Sequence, residues 1–244
     1  MRYAILSDIH SNLPALEAVL SGLQHESIER FICLGDTVGY GASPNECCDI
    51  VRDLSPLIVR GNHDVAAVAP GQERWFTPPA RACIEWTRGE LSEPNRQFLL
   101  GLQPSEQTEG AHLCHGALFD PDYYTTTPSD AALTFDTMSL PLCFIGHTHY
   151  AEWYTQDASG APPIRHPMTE GGFLHIAQGS RYIINPGAVG QPRDGNSRAA
   201  YAIWDTERQT VELHRTAYNI KAAQEKMATA DLPWNMSERL KMGV

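Results

Sequence analysis

Short apolar runs recur along the first two thirds of the chain, with helix-like spacing of apolar residues between most of them. The runs at 3–6, 30–34, 56–60, 111–116 and 142–145 have the length and composition of buried strands. Helices are predicted at 13–23, 43 to about 53, and 129–138, with Asn12 as an N-cap, and residues 65–104 are predicted to be mainly helical. Alternating strands and helices favour a mostly parallel sheet covered by helices.

The last third of the chain has a different pattern. Strands are predicted at 151–155, 173–177, 182–185, 199–204 and 210–215, with turns rich in Gly, Pro, Asn and Asp between them. We expect these strands to form an antiparallel second sheet. Residues 156–172 are an excursion containing Pro and Gly, 220–230 are predicted as a helix, and 232–244 as a partly ordered tail. One domain is expected over 1–244, with its core at about 1–216 and a C-terminal helix and tail at 217–244.

Polar clusters follow the predicted strands of the first two thirds. After the first strand come Asp8 and His10, which are two residues apart and therefore point the same way at strand spacing. Ligands of open α/β sheets bind at the carboxyl edge of the strands, where all the clusters should meet. Seven candidate metal ligands result: Asp8, His10, Asp36, Asn62, His115, His147 and His149.

These side chains suit Mn²⁺, Fe and Zn²⁺ better than soft metals. Seven ligands are too many for one tetrahedral ion, but they suit two ions about 3.5–4 Å apart that share one carboxylate. A water bridging two such cations loses its proton near neutral pH and can attack a phosphorus atom in line. Each cluster alone is also typical of a strand end or a turn, so the interpretation rests on the complete ordered set.

His63 differs from the ligands because it neighbours Asn62 without sharing its direction. It is predicted to protonate a leaving alkoxide, with Asp64 holding it in one tautomer. Arg193 or Asn12 is predicted to contact the substrate phosphate, although the turn chemistry around Arg193 is equally compatible with a structural role. We interpret the aromatic residues of 65–104 as core, but the loop around Trp75 could border the site.

Structural, packing or surface roles are expected for three further histidines. His112 lies in the middle of a predicted strand and is expected to be structural. His166 and His175 are expected to be surface or packing residues, with the alternative that they line the mouth of the site.

Charge and composition limit the binding partners and the cellular compartment that are expected for the protein. The formal net charge of the 244 residues is −11, which disfavours bulk nucleic-acid binding but not a phosphate substrate, because bound cations supply positive charge locally. None of the six cysteines is spaced as a zinc knuckle, and Cys33, Cys114 and Cys143 lie in apolar runs as small core residues. With no signal peptide and no long apolar run, a cytoplasmic protein without membrane contact is expected.

The complete set resembles the signature of the calcineurin-like metallophosphoesterase family. The motifs that carry the resemblance are Asp8-x-His10, Gly35-Asp36, Gly61-Asn62-His63-Asp64, His115 and Gly146-His147-x-His149. The resemblance spans residues 1 to about 216 and implies an α+β, four-layer αββα sandwich with two mixed β-sheets between helices. It also implies a cofactor of two divalent transition-metal ions, drawn from Mn, Fe, Zn and Ni.

The resemblance assigns a role to each motif residue. One ion would be held by Asp8, His10 and His149, and the other by Asn62, His115 and His147, with Asp36 bridging them. His63 would be the catalytic acid, supported by Asp64.

Two departures from the family pattern indicate which branch of the family the chain resembles. Protein phosphatases and dinucleoside tetraphosphatases of the family carry Asp-Arg-Gly where this chain has Gly39-Tyr40-Gly41, and protein phosphatases carry Glu in place of Asp64. The chain is more similar to the small bacterial and archaeal phosphodiesterases, whose pattern residues 184–194 also resemble.

The expected function is hydrolysis of small phosphodiesters, phosphomonoesters or both by a dinuclear metal site. One alternative is a non-catalytic metal-binding scaffold subunit, although such chains usually lack the acid or several ligands, and none is missing here. A nuclease is the other alternative, and the absence of a Lys/Arg stripe disfavours it.

Overall fold

The computed structural model describes residues 1–108 and 110–244. Within them the chain forms twelve strands and eight α-helices, with a short 3₁₀ helix at Gln72–Trp75. In chain order these are β1 (Arg2–Leu6), α1 (Leu13–Leu23), β2 (Arg30–Cys33), α2 (Pro44–Asp53), β3 (Leu57–Ile58), α3 (Asn62–Val68), α4 (Pro78–Glu90), α5 (Glu93–Leu100), β4 (Ser105–Gln107), β5 (Ala111–Cys114), α6 (Pro128–Thr137), β6 (Leu142–Phe144), β7 (Ala151–Gln156), β8 (Ile164–Pro167), β9 (Gly172–His175), β10 (Arg181–Pro186), β11 (Ala199–Asp205), β12 (Thr210–Thr216), α7 (Ile220–Thr229) and α8 (Trp234–Met242).

The strands form two mixed six-stranded sheets. The order is β3-β2-β1-β11-β12-β9 in the first sheet and β4-β5-β6-β10-β7-β8 in the second. In the first sheet β1 pairs in parallel with β2 and antiparallel with β11, while in the second β10 pairs in parallel with β6 and antiparallel with β7. The prediction of two mixed sheets is confirmed.

The late strands do not form a sheet of their own, so that part of the prediction is wrong. β11, β12 and β9 extend the first sheet from β1, whereas β10, β7 and β8 extend the second from β6. All seven residues of β11 are buried, which requires cover on both faces and a position inside a sheet. Each sheet therefore combines parallel strands from the first part of the chain with antiparallel strands from the last part.

Alternation along the strands produces the four layers. Ile5 of β1 packs with Phe144 of β6 and Trp204 of β11 in a core between the two sheets. Its neighbour Leu6 points the other way, into a second core beneath α1 and α2. On the opposite side Phe135 of α6 packs against the outer face of the second sheet. The predicted αββα sandwich is confirmed.

Three segments differ from the predicted elements. β4 was not predicted because its polar sequence has no apolar period, and it forms only by pairing with β5 at the edge of the second sheet. β8 lies inside the predicted excursion and pairs with β7. The predicted tail contains α8, whose Met236 and Leu240 pack into a cluster with α4 and α7. In each case tertiary contacts stabilise an element that local sequence does not indicate.

Buried polar and sulfur side chains fit the expectations. All six cysteines are free and buried, as predicted for Cys33, Cys114 and Cys143. His112 is structural as expected, because its Nε2 accepts hydrogen bonds from the backbone N–H groups of Ser139 and Leu140 at 3.1 and 3.2 Å. No described helix is both long enough and apolar enough to traverse a lipid bilayer.

Candidate metal centre

The carboxyl edges of the two sheets meet at one point, and the predicted ligands converge there. Asp8 and Asp36 follow β1 and β2 of the first sheet, and His115 follows β5 of the second. The backbone N–H of Asp8 donates to Gly35 O at 3.1 Å, and that of Gly146 donates to His115 O at 2.7 Å. These bonds hold neighbouring loops of each sheet side by side, and the backbone N–H of His147 donates to Asp8 Oδ2 at 3.1 Å, so both sheets contribute to one cluster.

The first predicted ligand set forms a buried group. Asp8, His10 and His149 place one donor atom each within 4.8 Å of the others. His149 Nε2 lies 3.2 Å from Asp8 Oδ1, and His10 Nε2 lies 3.7 Å from the same oxygen.

The second set forms a buried group beside the first. Asp36, His115 and His147 also place their donor atoms within 4.8 Å of one another. Asn62 Oδ1 lies 3.3 Å from His115 Nε2, so the amide belongs to the same group. Asp36 Oδ2 lies 3.3 Å from His115 and 3.6 Å from His10 Nε2, between the two sets. The carboxylate of Asp36 is thus the shared member.

The four histidines are oriented by backbone carbonyls. The contacts are His10 Nδ1 to Val38 O at 3.1 Å, His115 Nδ1 to Leu34 O at 2.7 Å, His149 Nδ1 to Gln191 O at 2.5 Å, and His147 Nε2 to Asp122 O at 3.0 Å. A carbonyl oxygen only accepts, so each of these ring nitrogens carries the proton. The other nitrogen of each ring presents a lone pair to the cluster, as in metal-binding histidines generally.

Two buried carboxylate oxygens test whether the cluster fits a metal. Asp8 Oδ2 accepts from Ser7 Oγ at 2.6 Å, and Asp36 Oδ1 accepts from His63 N at 2.8 Å. Asp8 Oδ1 and Asp36 Oδ2 are buried and have no hydrogen-bond donor among the described residues. Burying an anionic oxygen without compensation is costly, and a cation between these oxygens and the imidazole lone pairs removes that cost. The donor set therefore fits divalent cations.

The local charges favour the ligating forms of Asp36 and His147, whereas His115 must give up a proton to bind a metal. Burial acts to raise the pKa of Asp36, but His115 and His63 outweigh it and hold that pKa well below its usual range. Burial acts to lower the pKa of His115, yet Asp36 raises it to about 10. Burial and His115 lower the pKa of His147 to about 3, which leaves its imidazole neutral. An ionised Asp36 and a neutral His147 are the forms that bind metal.

The backbone of the candidate ligands is strained. Asp8, His10, Asp36, His147 and His149 have φ values of 52°, 50°, 53°, 68° and 63°, in the left-handed region that residues other than glycine rarely adopt. Such conformations persist only where the surrounding structure enforces them, and they concentrate at functional sites. The arrangement also requires a glycine at position 61, because the Asp36 carboxylate occupies the space that a Cβ would need there.

His63 lies at the boundary between this cluster and a cleft of about 610 Å³. His63 is 3% exposed, and its ring packs against Tyr40 and Phe76, with centroids 4.4 and 4.7 Å away. Burial lowers the pKa of His63 well below its usual range, and Asp36 opposes that shift. His63 and His147 both line the cleft, and of these two imidazoles His63 is the one outside the predicted ligand set.

Asp64 does not orient His63 as expected. Its Oδ1 accepts from Val38 N at 3.2 Å and its Oδ2 from Gly61 N at 3.0 Å, and no hydrogen bond joins it to the His63 ring in the described part of the chain. Burial, with a contribution from Asp36, raises the pKa of Asp64 to about 7. The predicted contact with the imidazole is therefore wrong, and Asp64 instead fixes the loop that carries Asn62.

The two predicted phosphate-binding residues have different environments. Asn12 is 4% exposed, and it caps α1 by accepting from Ala15 N at 3.3 Å while donating to Gly190 O at 2.7 Å. This confirms Asn12 as an N-cap and leaves its carbonyl oxygen and one N–H engaged by backbone. Arg193 lines the cleft, and its Nη2 donates to Tyr40 OH at 3.0 Å. Of these two residues, only Arg193 is placed to contact a substrate in the cleft.

The cleft also contains residues that sequence reasoning missed. Tyr124 stacks near His147 with centroids 3.9 Å apart, and Arg239 of α8 lines the cleft with Arg193. Trp75 lines it too and is 76% exposed, so the core interpretation is wrong for this residue and the border interpretation holds. The glycines on either side of Tyr40 indicate from sequence that this loop passes close to another group, whereas no sequence feature indicates a position in the cleft for Arg239.

His166 and His175 lie elsewhere. Neither is among the residues lining the cleft. His166 packs on Trp153 with ring centroids 5.5 Å apart, and His175 pairs with Thr210 at the edge of the first sheet. They are packing and surface residues as expected.

Comparison with known proteins identifies the family. A model of the calcineurin-like phosphoesterase superfamily domain matches residues 1–209. This chain belongs to that superfamily. The predicted family and the predicted class of enzyme, a metal-dependent phosphoester hydrolase, are confirmed.

Relatives of this phosphoesterase come from archaea and bacteria. An uncharacterized protein of Methanocaldococcus jannaschii is 35% identical over 252 residues, covering 98% of this chain and 97% of its own. The crystal structure of a metallophosphoesterase from Sphaerobacter thermophilus has a TM-score of 0.90 at 41% identity, with 100% of both chains covered. A hypothetical protein from Pyrococcus horikoshii has a TM-score of 0.80 at 19% identity, covering 100% of this chain and 98% of its own, and that likeness shows the fold alone.

Proposed function

We propose that this phosphoesterase uses two divalent transition-metal ions to hydrolyse small phosphodiesters, phosphomonoesters or both. The observation that carries the proposal is a pair of adjacent buried donor groups, Asp8 with His10 and His149 and Asp36 with His115 and His147, linked by the 3.6 Å approach of Asp36 Oδ2 to His10 Nε2. Asp8, His10 and His149 would hold one ion, Asn62, His115 and His147 the other, and Asp36 both. When bound, such a pair supplies a nucleophile from water near neutral pH and neutralises charge on the phosphate.

The protein's own residues bind the ester and move a proton. Arg193 donates to phosphate oxygens from the cleft wall, where its guanidinium already donates to Tyr40 OH and Gln191 Oε1 at 3.0 and 3.3 Å. His63 gives a proton to the leaving oxygen. A bound phosphate anion beside its ring favours the protonated imidazole and so opposes the effect of burial. Tyr40 and Phe76 restrict the ring and reduce its contact with water.

A direct test is hydrolysis of bis(p-nitrophenyl) phosphate and p-nitrophenyl phosphate by protein loaded with Mn²⁺, Ni²⁺, Co²⁺ or Zn²⁺. Metal-dependent release of p-nitrophenol is expected, and chelation should abolish it. Protein shown by elemental analysis to hold metal, yet inactive on both esters with all four ions, would contradict the proposal and favour a scaffold role.

Asn185 is expected to support the metal centre without touching an ion. Its Nδ2 donates to Gly146 O at 2.7 Å and to Thr148 Oγ1 at 2.9 Å, on either side of His147. Asn185→Ala frees this loop, and metal affinity should fall roughly 10- to 100-fold, as for other groups that orient ligands. Calorimetric titration with Mn²⁺ measures the change.

Asn45 provides the matched control for Asn185. Its Nδ2 donates to Glu90 O at 2.8 Å and its Oδ1 accepts from Ser92 N at 2.9 Å, outside the metal cluster. Asn45→Ala should alter thermal stability but leave Mn²⁺ affinity unchanged. Equal affinity in the Asn185→Ala and Asn45→Ala proteins would show that Asn185 does not position the ligands.

A further inference from the structure

The C-terminal helix brings a second arginine to the substrate cleft. Met236 and Leu240 anchor α8 in the same apolar cluster as Tyr40, and this anchoring places Arg239 on the cleft wall. Arg239 Nε donates to the backbone carbonyl of Val244 at 2.7 Å, which fixes the stem of the side chain. Its two terminal nitrogens have no such bond among the described residues and are available to the cleft.

No acidic side chain among the described residues neutralises either cleft arginine. In the described part of the chain, the hydrogen bonds of Arg193 go to Tyr40 and Gln191, and neither its guanidinium nor that of Arg239 pairs with an Asp or Glu side chain. The chain has 29 acidic residues and only 18 Lys and Arg, so two unneutralised arginines in one cleft run against its overall charge. Burial, with a smaller contribution from the charge of Arg193, lowers the pKa of Arg239, and like charges that line one cleft repel each other. An anion between them relieves that repulsion.

The two arginines stand at different depths. Arg193 follows the loop of His149, and its backbone N–H donates to His149 O at 3.2 Å. Arg193 also donates to the hydroxyl of Tyr40, whose ring packs on His63, whereas Arg239 reaches the cleft from α8 and is held there by Val244. Arg193 is therefore placed for the reacting phosphate and Arg239 for a group farther along the substrate.

We propose that Arg239 binds a second anionic group of the substrate, so the preferred substrates are phosphoesters that carry another carboxylate or phosphate beyond the scissile phosphorus. This inference rests on the proposed function and names the substrate class for the same cleft. It gives α8 a role in specificity, since a plain alkyl or aryl ester offers Arg239 nothing to bind.

The test uses three phosphonates as competitive inhibitors of bis(p-nitrophenyl) phosphate hydrolysis by the Mn²⁺-loaded protein. Propylphosphonate has no second anion, 3-phosphonopropionate has a carboxylate, and propane-1,3-bisphosphonate has a second phosphonate. The native protein should bind one or both of the last two about tenfold or more tightly than propylphosphonate, which is about 1.4 kcal/mol. The better of these two inhibitors indicates which anion is recognised. Arg239→Gln should remove most of this preference, and Arg239→Lys should retain part of it.

Lys241 supplies the control on the same helix. It is exposed, pairs with Glu238 at 3.0 Å and does not line the cleft, so Lys241→Gln should leave the preference unchanged. Thermal melting checks that each variant is folded, and the inhibitor preference of the native protein tests the proposal even if Arg239→Gln does not fold. An active native enzyme without the preference, or a preference that survives in folded Arg239→Gln, would overturn this inference and leave the proposed function intact. Loss of hydrolysis with every metal would instead refute the proposed function.

Discussion

Asp36→Asn is expected to lose bound metal and hydrolytic activity together. Asp36 Oδ2 faces both ligand groups and has no donor among the described residues, so the substitution removes the anionic oxygen that the two ions would share. Asn is nearly isosteric but uncharged. We expect kcat/KM to fall by roughly 10³-fold or more, equivalent to about 4 kcal/mol of lost transition-state stabilisation. Elemental analysis and hydrolysis of bis(p-nitrophenyl) phosphate measure the two effects on the same sample.

Asp136→Asn controls for the loss of one carboxylate. Asp136 lies on α6 and is exposed, so its replacement makes the same chemical change away from the cluster. Metal content and activity should both match the native protein. An Asp36→Asn protein that retains a full complement of metal would show that Asp36 is not the shared ligand.

His63→Ala is expected to separate chemistry from metal binding. The ring packs at the cleft and its Nδ1 has no hydrogen-bond partner among the described residues, so removing it takes away a proton donor but no assigned ligand. Loss of a general acid typically lowers the rate about 10²- to 10⁴-fold. The loss should be greater for phenyl phosphate than for p-nitrophenyl phosphate, because phenolate is the poorer leaving group and needs the proton more.

The control for His63 is His175→Ala, which removes an exposed imidazole from the edge strand β9. It should preserve metal content and kcat/KM for both esters. If His63→Ala strips the metal, His63 is a ligand rather than the acid. An equal rate loss for both leaving groups would argue against proton donation in the rate-limiting step.

The convergence of the candidate ligands was predictable because its signal is local. Each strand that ends in Asp8, Asp36, His115 or His147 is an apolar run followed at once by a polar side chain, and parallel strands bring such ends to one edge. The sheet membership of the late strands was not predictable, since β11 and β10 have similar apolar sequences and only pairing with β1 or β6 distinguishes them.

The second layer of the site was harder to predict than the ligands. Asp64 sits beside His63 in sequence, but the start of α3 turns its carboxylate toward Gly61 and Val38. Arg239 lies far along the chain in a segment without a strong apolar period, and only the packing of α8 brings it to the cleft. Both cases depend on side-chain direction after tertiary packing, which spacing in a single sequence does not contain.

The most direct test of the metal centre is anomalous X-ray diffraction from crystals of the protein loaded with Mn²⁺, recorded near the manganese absorption edge. Two anomalous peaks about 3.5–4 Å apart are expected, one beside Asp8 and His149, the other beside His115 and His147, with Asp36 between them. A single peak would contradict the two-ion site, and a map with no peak at Asp36 in metal-replete, active crystals would contradict the metal centre altogether.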